Sequence, residues 1–151
     1  MKGRILMKLP EYITIDEVKR VCKELKLRDW TALKETSVPM TEAKIILPLV
    51  NTDSLDIDIE EFRKGLEVEL EHGFAFTNFN VTNNHPLLTA KIVMAHFMET
   101  PDYYRLLDVA ELEGDLLKAL VAGNIEKARS KYKKLADARS TLGKAESTRL
   151  S

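Results

Sequence analysis

Pro86-Leu87-Leu88-Thr89-Ala90-Lys91-Ile92-Val93-Met94-Ala95-His96-Phe97-Met98-Glu99 is the stretch on which the fold turns. Proline is at home at a helix start, where its missing amide would have no partner and its fixed φ already suits the helix. Beyond it, only Thr89, Lys91, His96 and Glu99 interrupt an apolar run without strand-like alternation. The run predicts a helix over residues 87–99, apolar almost all round. Such a helix must bury most of its circumference and belongs at the centre of a helical domain.

The segments on either side are helical too. Thr100-Pro101-Asp102 reads as a new start, with Thr as N-cap, Pro at the first helical position and an acid near the positive end of the dipole. This fourth helix runs to about Ala122, where Gly123 ends it and Asn124 caps a fifth over residues 125–142, closed by Gly143. Upstream, Ile59, Phe62, Leu66 and Leu70 recur at three- and four-residue intervals over residues 57–72, with Gly73 as the left-handed stop. Phe74, Phe76, Phe79 and Val81 follow in a segment too irregular for helix, read as an extended loop laying its aromatics over the core. Thr14-Ile15-Asp16-Glu17 is a capping box opening a first helix over residues 15–27. Between them, Ser37-Val38-Pro39 breaks the chain, Thr41-Glu42-Ala43-Lys44 opens a short apolar helix that Pro48 disturbs, and Asn51-Thr52-Asp53-Ser54 turns. The expectation is a mainly α protein: a compact helical bundle of about five or six helices with a central apolar helix. An N-terminal helical subdomain takes residues 1–54, the helical core domain 55–143, and a frayed tail 144–151.

Composition narrows the function classes. The 151 residues suffice for one core. With 23 Lys+Arg against 24 Asp+Glu, the net charge of −1 offers no general attraction to nucleic acid or anionic membrane. Lys2, Arg4 and Lys8 sit among short apolar runs without a continuous signal-peptide core, and no stretch reaches membrane-spanning length. The single Cys22 lies among Ile15, Val18 and Leu25 at helical spacing, as a small buried hydrophobe in a soluble, cytoplasmic protein. Charge is segregated nonetheless. Residues 53–72 hold eight acids against Arg63 and Lys64, a net of −6; residues 124–151 hold eight bases against three acids, a net of +5. The bases spread around Ile125, Ala128, Tyr132 and Leu135 instead of forming one stripe, which suits a solvated helix better than a nucleic-acid reader.

The unusual chemistry lies in Glu67-Val68-Glu69-Leu70-Glu71-His72 and around His96 and Glu99. Glu69 and His72 form Glu-x-x-His, the spacing by which one helical turn offers a carboxylate and an imidazole to one metal in carboxylate-bridged bundles. Carboxylates at positions 67, 69 and 71 oppose the dipole at a helix C-terminus, and a cation would compensate. If Lys91 reaches solvent, His96 points inward. Glu69, His72 and His96, helped by Glu67, Glu71 or Glu99, would make a mixed N/O site suited to iron, manganese or zinc. The set falls short of a di-iron site, since only one Glu-x-x-His is present. A purely structural account also fits, and fits more simply: His72 as a last-turn cation, His96 as a core histidine, the glutamates as a solvated face. No nucleophile elbow, phosphate-cradling loop or Cys-rich zinc pattern is present, so any enzyme assignment rests on metal alone.

Gly65-Leu66-Glu67-Val68-Glu69-Leu70-Glu71-His72-Gly73, Asn80-Val81-Thr82, Pro86, Ala95-His96, Glu99 and Pro101-Asp102-Tyr103-Tyr104 together resemble a family of small uncharacterised proteins with an E-x-E-H-G … N-V-T … A-H-x-x-E-x-P-D-Y-Y pattern, a domain of unknown function. The resemblance covers residues 61–107, with an echo in the first helix, and implies no known activity. The chain departs from the pattern at Asn84-His85, at Ala90, and by an insertion over residues 31–57. The leading expectation is a small protein binding a divalent transition metal at the Glu/His cluster. The alternative is a metal-free interaction or assembly module, joining a protein partner or a second copy through its acidic and basic helices.

Overall fold

Four of the six helix starts in the computed structural model, which describes residues 10–151, rest on capping side chains. The stretch holding Lys2, Arg4 and Lys8 lies outside the described residues. Helix α1 (Ile15–Glu24) opens with Thr14 Oγ1 accepting from the Glu17 N–H at 3.2 Å. The Glu17 carboxylate turns to Arg20 instead of completing the capping box. The helix closes three residues earlier than its apolar pattern predicts. Lys26 takes a left-handed φ of 56°, while the Leu27 and Lys26 N–H groups bond back to the carbonyls of Cys22 and Lys23.

Helix α2 (Met40–Val50) runs through Pro48 and is anchored by a buried acid. Glu42 accepts from the Arg28 backbone N–H at 2.8 Å, from the Arg28 guanidinium at 3.1 Å on each oxygen, and from Trp30 Nε1 at 3.1 Å. Burial raises the Glu42 pKa, but the Arg28 and Trp30 hydrogen bonds and the guanidinium charge outweigh it, so the net shift is downward. Helix α3 (Ile59–Ala75) begins at Asp58, whose carboxylate accepts from the Glu61 N–H, and buries Phe62, Leu66 and Leu70 on the stripe read from the sequence. Trp30, Ile46, Phe62 and Leu66 are fully buried, each worth roughly 1.5–3 kcal/mol of apolar burial. Gly73 is inside α3, not its stop. A single 3₁₀ turn, Thr77–Phe79, follows, and Phe76, Phe79 and Val81 are exposed, so this loop does not lay its aromatics over the core.

Helix α4 (Pro86–Glu99) is capped by His85, whose Nδ1 accepts from the Leu87 and Leu88 N–H groups at 3.2 and 3.3 Å. Its all-round apolarity does not translate into all-round burial. Thr89, Ala90, Val93, Met94 and Phe97 are buried, while Lys91, Ile92, Ala95, Met98 and Glu99 are exposed. The chain forms two compact units, Met1–Met94 and Ala95–Ser151, dividing within this helix.

In the second unit, α5 (Tyr103–Val121) and α6 (Ile125–Leu150) form an antiparallel hairpin. Gly123 turns it with a φ of 67°, and Asn124 Oδ1 accepts from the Lys127 N–H at 3.0 Å. Thr100 does not cap α5. Its hydroxyl takes the Asp102 N–H in the preceding turn, and the buried Asp102 carboxylate binds Arg105 and Arg149 at 2.9 and 2.8 Å. Ala119, Ala128 and Leu135 are buried, and acid–base pairs Asp115–Lys131 and Glu113–Arg139 join the helices at 2.6 and 2.9 Å. Gly143 does not end α6, which runs as helix to Leu150 where the sequence pattern predicts fraying. Among the described residues the structure has six α-helices and no strand, a small all-α fold.

Candidate ligand-binding site

Glu69, His72 and Gly73 at the end of α3, the loop from Phe79 to Asn84, and Thr89 and Ile92 on α4 enclose a cleft of about 180 Å³ in the first unit. That is room for roughly six waters at liquid density. Its loop wall is fixed by backbone that few residue types adopt. Asn83 and Asn84 are consecutive left-handed residues, with φ of 49° and 59°, a conformation for which asparagine carries the smallest penalty after glycine. The Asn83 amide donates to the Ile13 carbonyl at 2.6 Å and to Glu11 at 2.7 Å, tying the loop to the segment before α1. Asn80 Nδ2 donates to Asn84 Oδ1 at 3.0 Å, and Thr82 Oγ1 to Asn80 Oδ1 at 3.4 Å.

Gly73 is where α3 lets this loop approach. A Cβ there would run into Asn84 Oδ1 and lie 2.9 Å from Asn80 Nδ2, so the position serves close packing and not a backbone turn. Glu69 is the acid of the lining and His72 its base. The Glu69 side chain is only 10 % exposed, its Oε2 3.7 Å from His72 Nδ1, while the His72 ring is 65 % exposed at the cleft edge. Phe79, Val81 and Ile92, all solvent-exposed, give the mouth an apolar rim. The cleft therefore offers one sheltered carboxylate, an imidazole, amides and hydroxyls inside an apolar collar.

The other residues singled out in the sequence have different surroundings. Glu67 is occupied structurally: its carboxylate accepts from Arg63 at 2.6 Å and from the Val38 N–H at 2.9 Å. Those contacts offset the charge of Glu67. Glu71 is exposed. In the second unit, His96 stacks on Tyr103 with ring centroids 3.9 Å apart, meets Tyr104 edge-on, and lies 3.7 Å from Glu99. The structure thus makes two Glu/His pairs, Glu69 with His72 and His96 with Glu99. Among the described residues, no three His, Cys, Asp or Glu side chains gather into a group that could hold a metal ion. Asn80, Thr82, Asn84 and Thr89 were missed as site residues. The signal for them was the consecutive Asn83-Asn84 pair, a residue type that tolerates left-handed backbone.

The chain belongs to a family of proteins of unknown function. The model of the family described as protein of unknown function DUF5661 matches residues 18–113, which takes in the whole cleft. No curated protein and no solved structure matches the chain. Among the described residues no helix is long and apolar enough to cross a membrane.

Proposed function

We propose that the first unit is a small-ligand-binding domain whose cleft takes a compact molecule with a positively charged amine or guanidine end and a short apolar remainder. One observation carries this reading: the Glu69 carboxylate, nine-tenths sheltered, lines a 180 Å³ cleft whose remaining polar lining is an imidazole, amides and hydroxyls. A cation entering there gains from a carboxylate partly withdrawn from water, where charge-assisted hydrogen bonds are stronger than at the open surface. Asn80, Asn84 and Thr89 supply neutral hydrogen-bonding groups, and the Phe79 rim suits the apolar part and the face of a cation.

The 3.7 Å spacing of Glu69 and His72 favours a second reading, a divalent transition metal held by that pair with amide and hydroxyl oxygens completing its shell. Amide NMR titrations with methylguanidine and, separately, with Mn²⁺ test both. The first reading expects saturable shifts below about 10 mM at Gly73, Asn80, Asn84 and Thr89, abolished by Glu69→Gln. Mn²⁺ broadening at those amides, abolished by His72→Ala and unaccompanied by methylguanidine binding, replaces it with the second. No response to either probe overturns both.

A further inference from the structure

We propose that a second copy of this chain docks on one face of the α5–α6 hairpin, so that two hairpins close into a four-helix bundle. The argument is independent of the cleft. Taking about 100° per residue, the positions of α5 that turn towards α6 are Leu112, Asp115 and Ala119, and those of α6 that turn back are Ala128, Lys131 and Leu135. Relative to that seam the two flanks of the hairpin differ. On one, Asp108, Lys131, Lys134 and Asp137 line a polar groove. On the other, Leu120 of α5 lies with Ile125 and Tyr132 of α6, and Leu106 and Leu117 carry the apolar surface round the outer side of α5. These five side chains are 43 to 63 % exposed, so the hairpin presents an apolar plate to solvent.

Three observations make the occupant another copy. A pair of antiparallel helices with one charged and one apolar face is half of a four-helix bundle, and two-fold closure of like on like completes it. The helices are also oppositely charged: α5 has four acids against Arg105 and Lys118, a net of −2, while α6 has eight bases against three acids, a net of +5. A two-fold axis running along the hairpin lays each α5 over the other copy's α6, acidic on basic. Finally, the charged pair on the apolar flank, Glu113 with Arg139, spans the hairpin at one level, 2.9 Å apart and half exposed. The same axis then brings Glu113 of each copy opposite Arg139 of the other. The area is sufficient. The whole hairpin face, nineteen residues of α5 long and two helix widths across, measures about 28 Å by 20 Å, roughly 560 Å² per copy, so a dimer that covers all of it, the Glu113–Arg139 pair included, passes the ~1,000 Å² total of a specific interface.

Sedimentation of the full chain from about 1 to 500 µM should show a concentration-dependent dimer. Glu113→Arg and Arg139→Glu each replace a half-exposed side chain, and each should weaken dimerisation by about tenfold or more through like-charge apposition. Mixing the two variants is the decisive arm. Neither chain can rebuild the pair within itself, but between them each arginine faces a glutamate, so a mixed dimer of near native strength should form. Leu117→Asp/Leu120→Asp, at exposed positions, should abolish association with helicity unchanged. A monomer at every concentration overturns the proposal, and so does a dimer indifferent to these substitutions or single variants that mixing fails to rescue.

Discussion

Glu42→Gln is the substitution whose effect can be worked out most fully from the structure. The glutamate side chain is buried and receives four hydrogen bonds, three from Arg28 and one from Trp30 Nε1. Glutamine keeps the shape but offers a single acceptor oxygen, and it turns an NH₂ towards groups that are themselves donors. Breaking a buried ion pair costs about 3–5 kcal/mol when one partner is removed. Arg28 is 37 % exposed and can recover water, so the lower end, about 3 kcal/mol, is expected. For a chain of this length that is a fall in Tm of about 6–12 °C. The same contacts give a pH signature. Because the folded-state pKa of Glu42 is depressed below 4.5, its stabilisation is fully present above pH 4.5 and is lost as pH falls through the lowered value. Urea unfolding at pH 7 and across the acid range, read by the buried Trp30, measures both. A variant within about 0.5 kcal/mol of the native chain would refute the anchor, as would an unchanged acid limb.

His85 offers a second pH test. Burial lowers its pKa below 6.5, against an opposing pull from Glu17 and with Arg20 adding to the decrease, so its contribution is full above pH 6.5 and fades as pH falls through the lowered value. His85→Asn keeps a side chain able to cap α4 and should flatten this part of the stability profile; an unaltered slope would show that the imidazole is not responsible. At Gly73, alanine gains about 1 kcal/mol of helix propensity and loses about as much by breaking the Asn80–Asn84 hydrogen bond. Gly73→Ala should therefore leave Tm nearly unchanged yet move the amide resonances of residues 80–84, and a silent loop would contradict the close approach. Cys22, buried and with its thiol pKa raised by burial, should react with a disulfide reagent only in denaturant; rapid labelling of the native protein would count against its placement.

Sequence reading placed most helix starts from single capping side chains, though not at Thr100, and was poor where an isolated glycine was the only stop signal. Thr14, Asn124 and Gly123 act as their types suggest. Gly73 and Gly143 do not: α3 uses Gly73 for clearance against Asn80 and Asn84, and α6 continues past an exposed Gly143 against which nothing packs. That Glu69 and His72 lie side by side was legible from spacing alone. The second partner of Glu67, beyond Arg63 one turn back, was not, since the Val38 amide lies 29 positions away in the chain. Nor could periodicity show that Asn80 and Asn84 face α3, because the loop's geometry follows from left-handed backbone at Asn83 and Asn84, which no hydrophobic period encodes.

The salt bridge between Arg149 and Asp102 gives the chain's last turn a fastening role. Residues 149 and 102 are the far ends of two long rods joined at Gly123, so this contact shuts the open end of a clasp. Removing the final three residues would leave Asp102 to Arg105 alone and free the mouth of the clasp to splay, while the hinge and the Ala119, Ala128 and Leu135 seam stay shut.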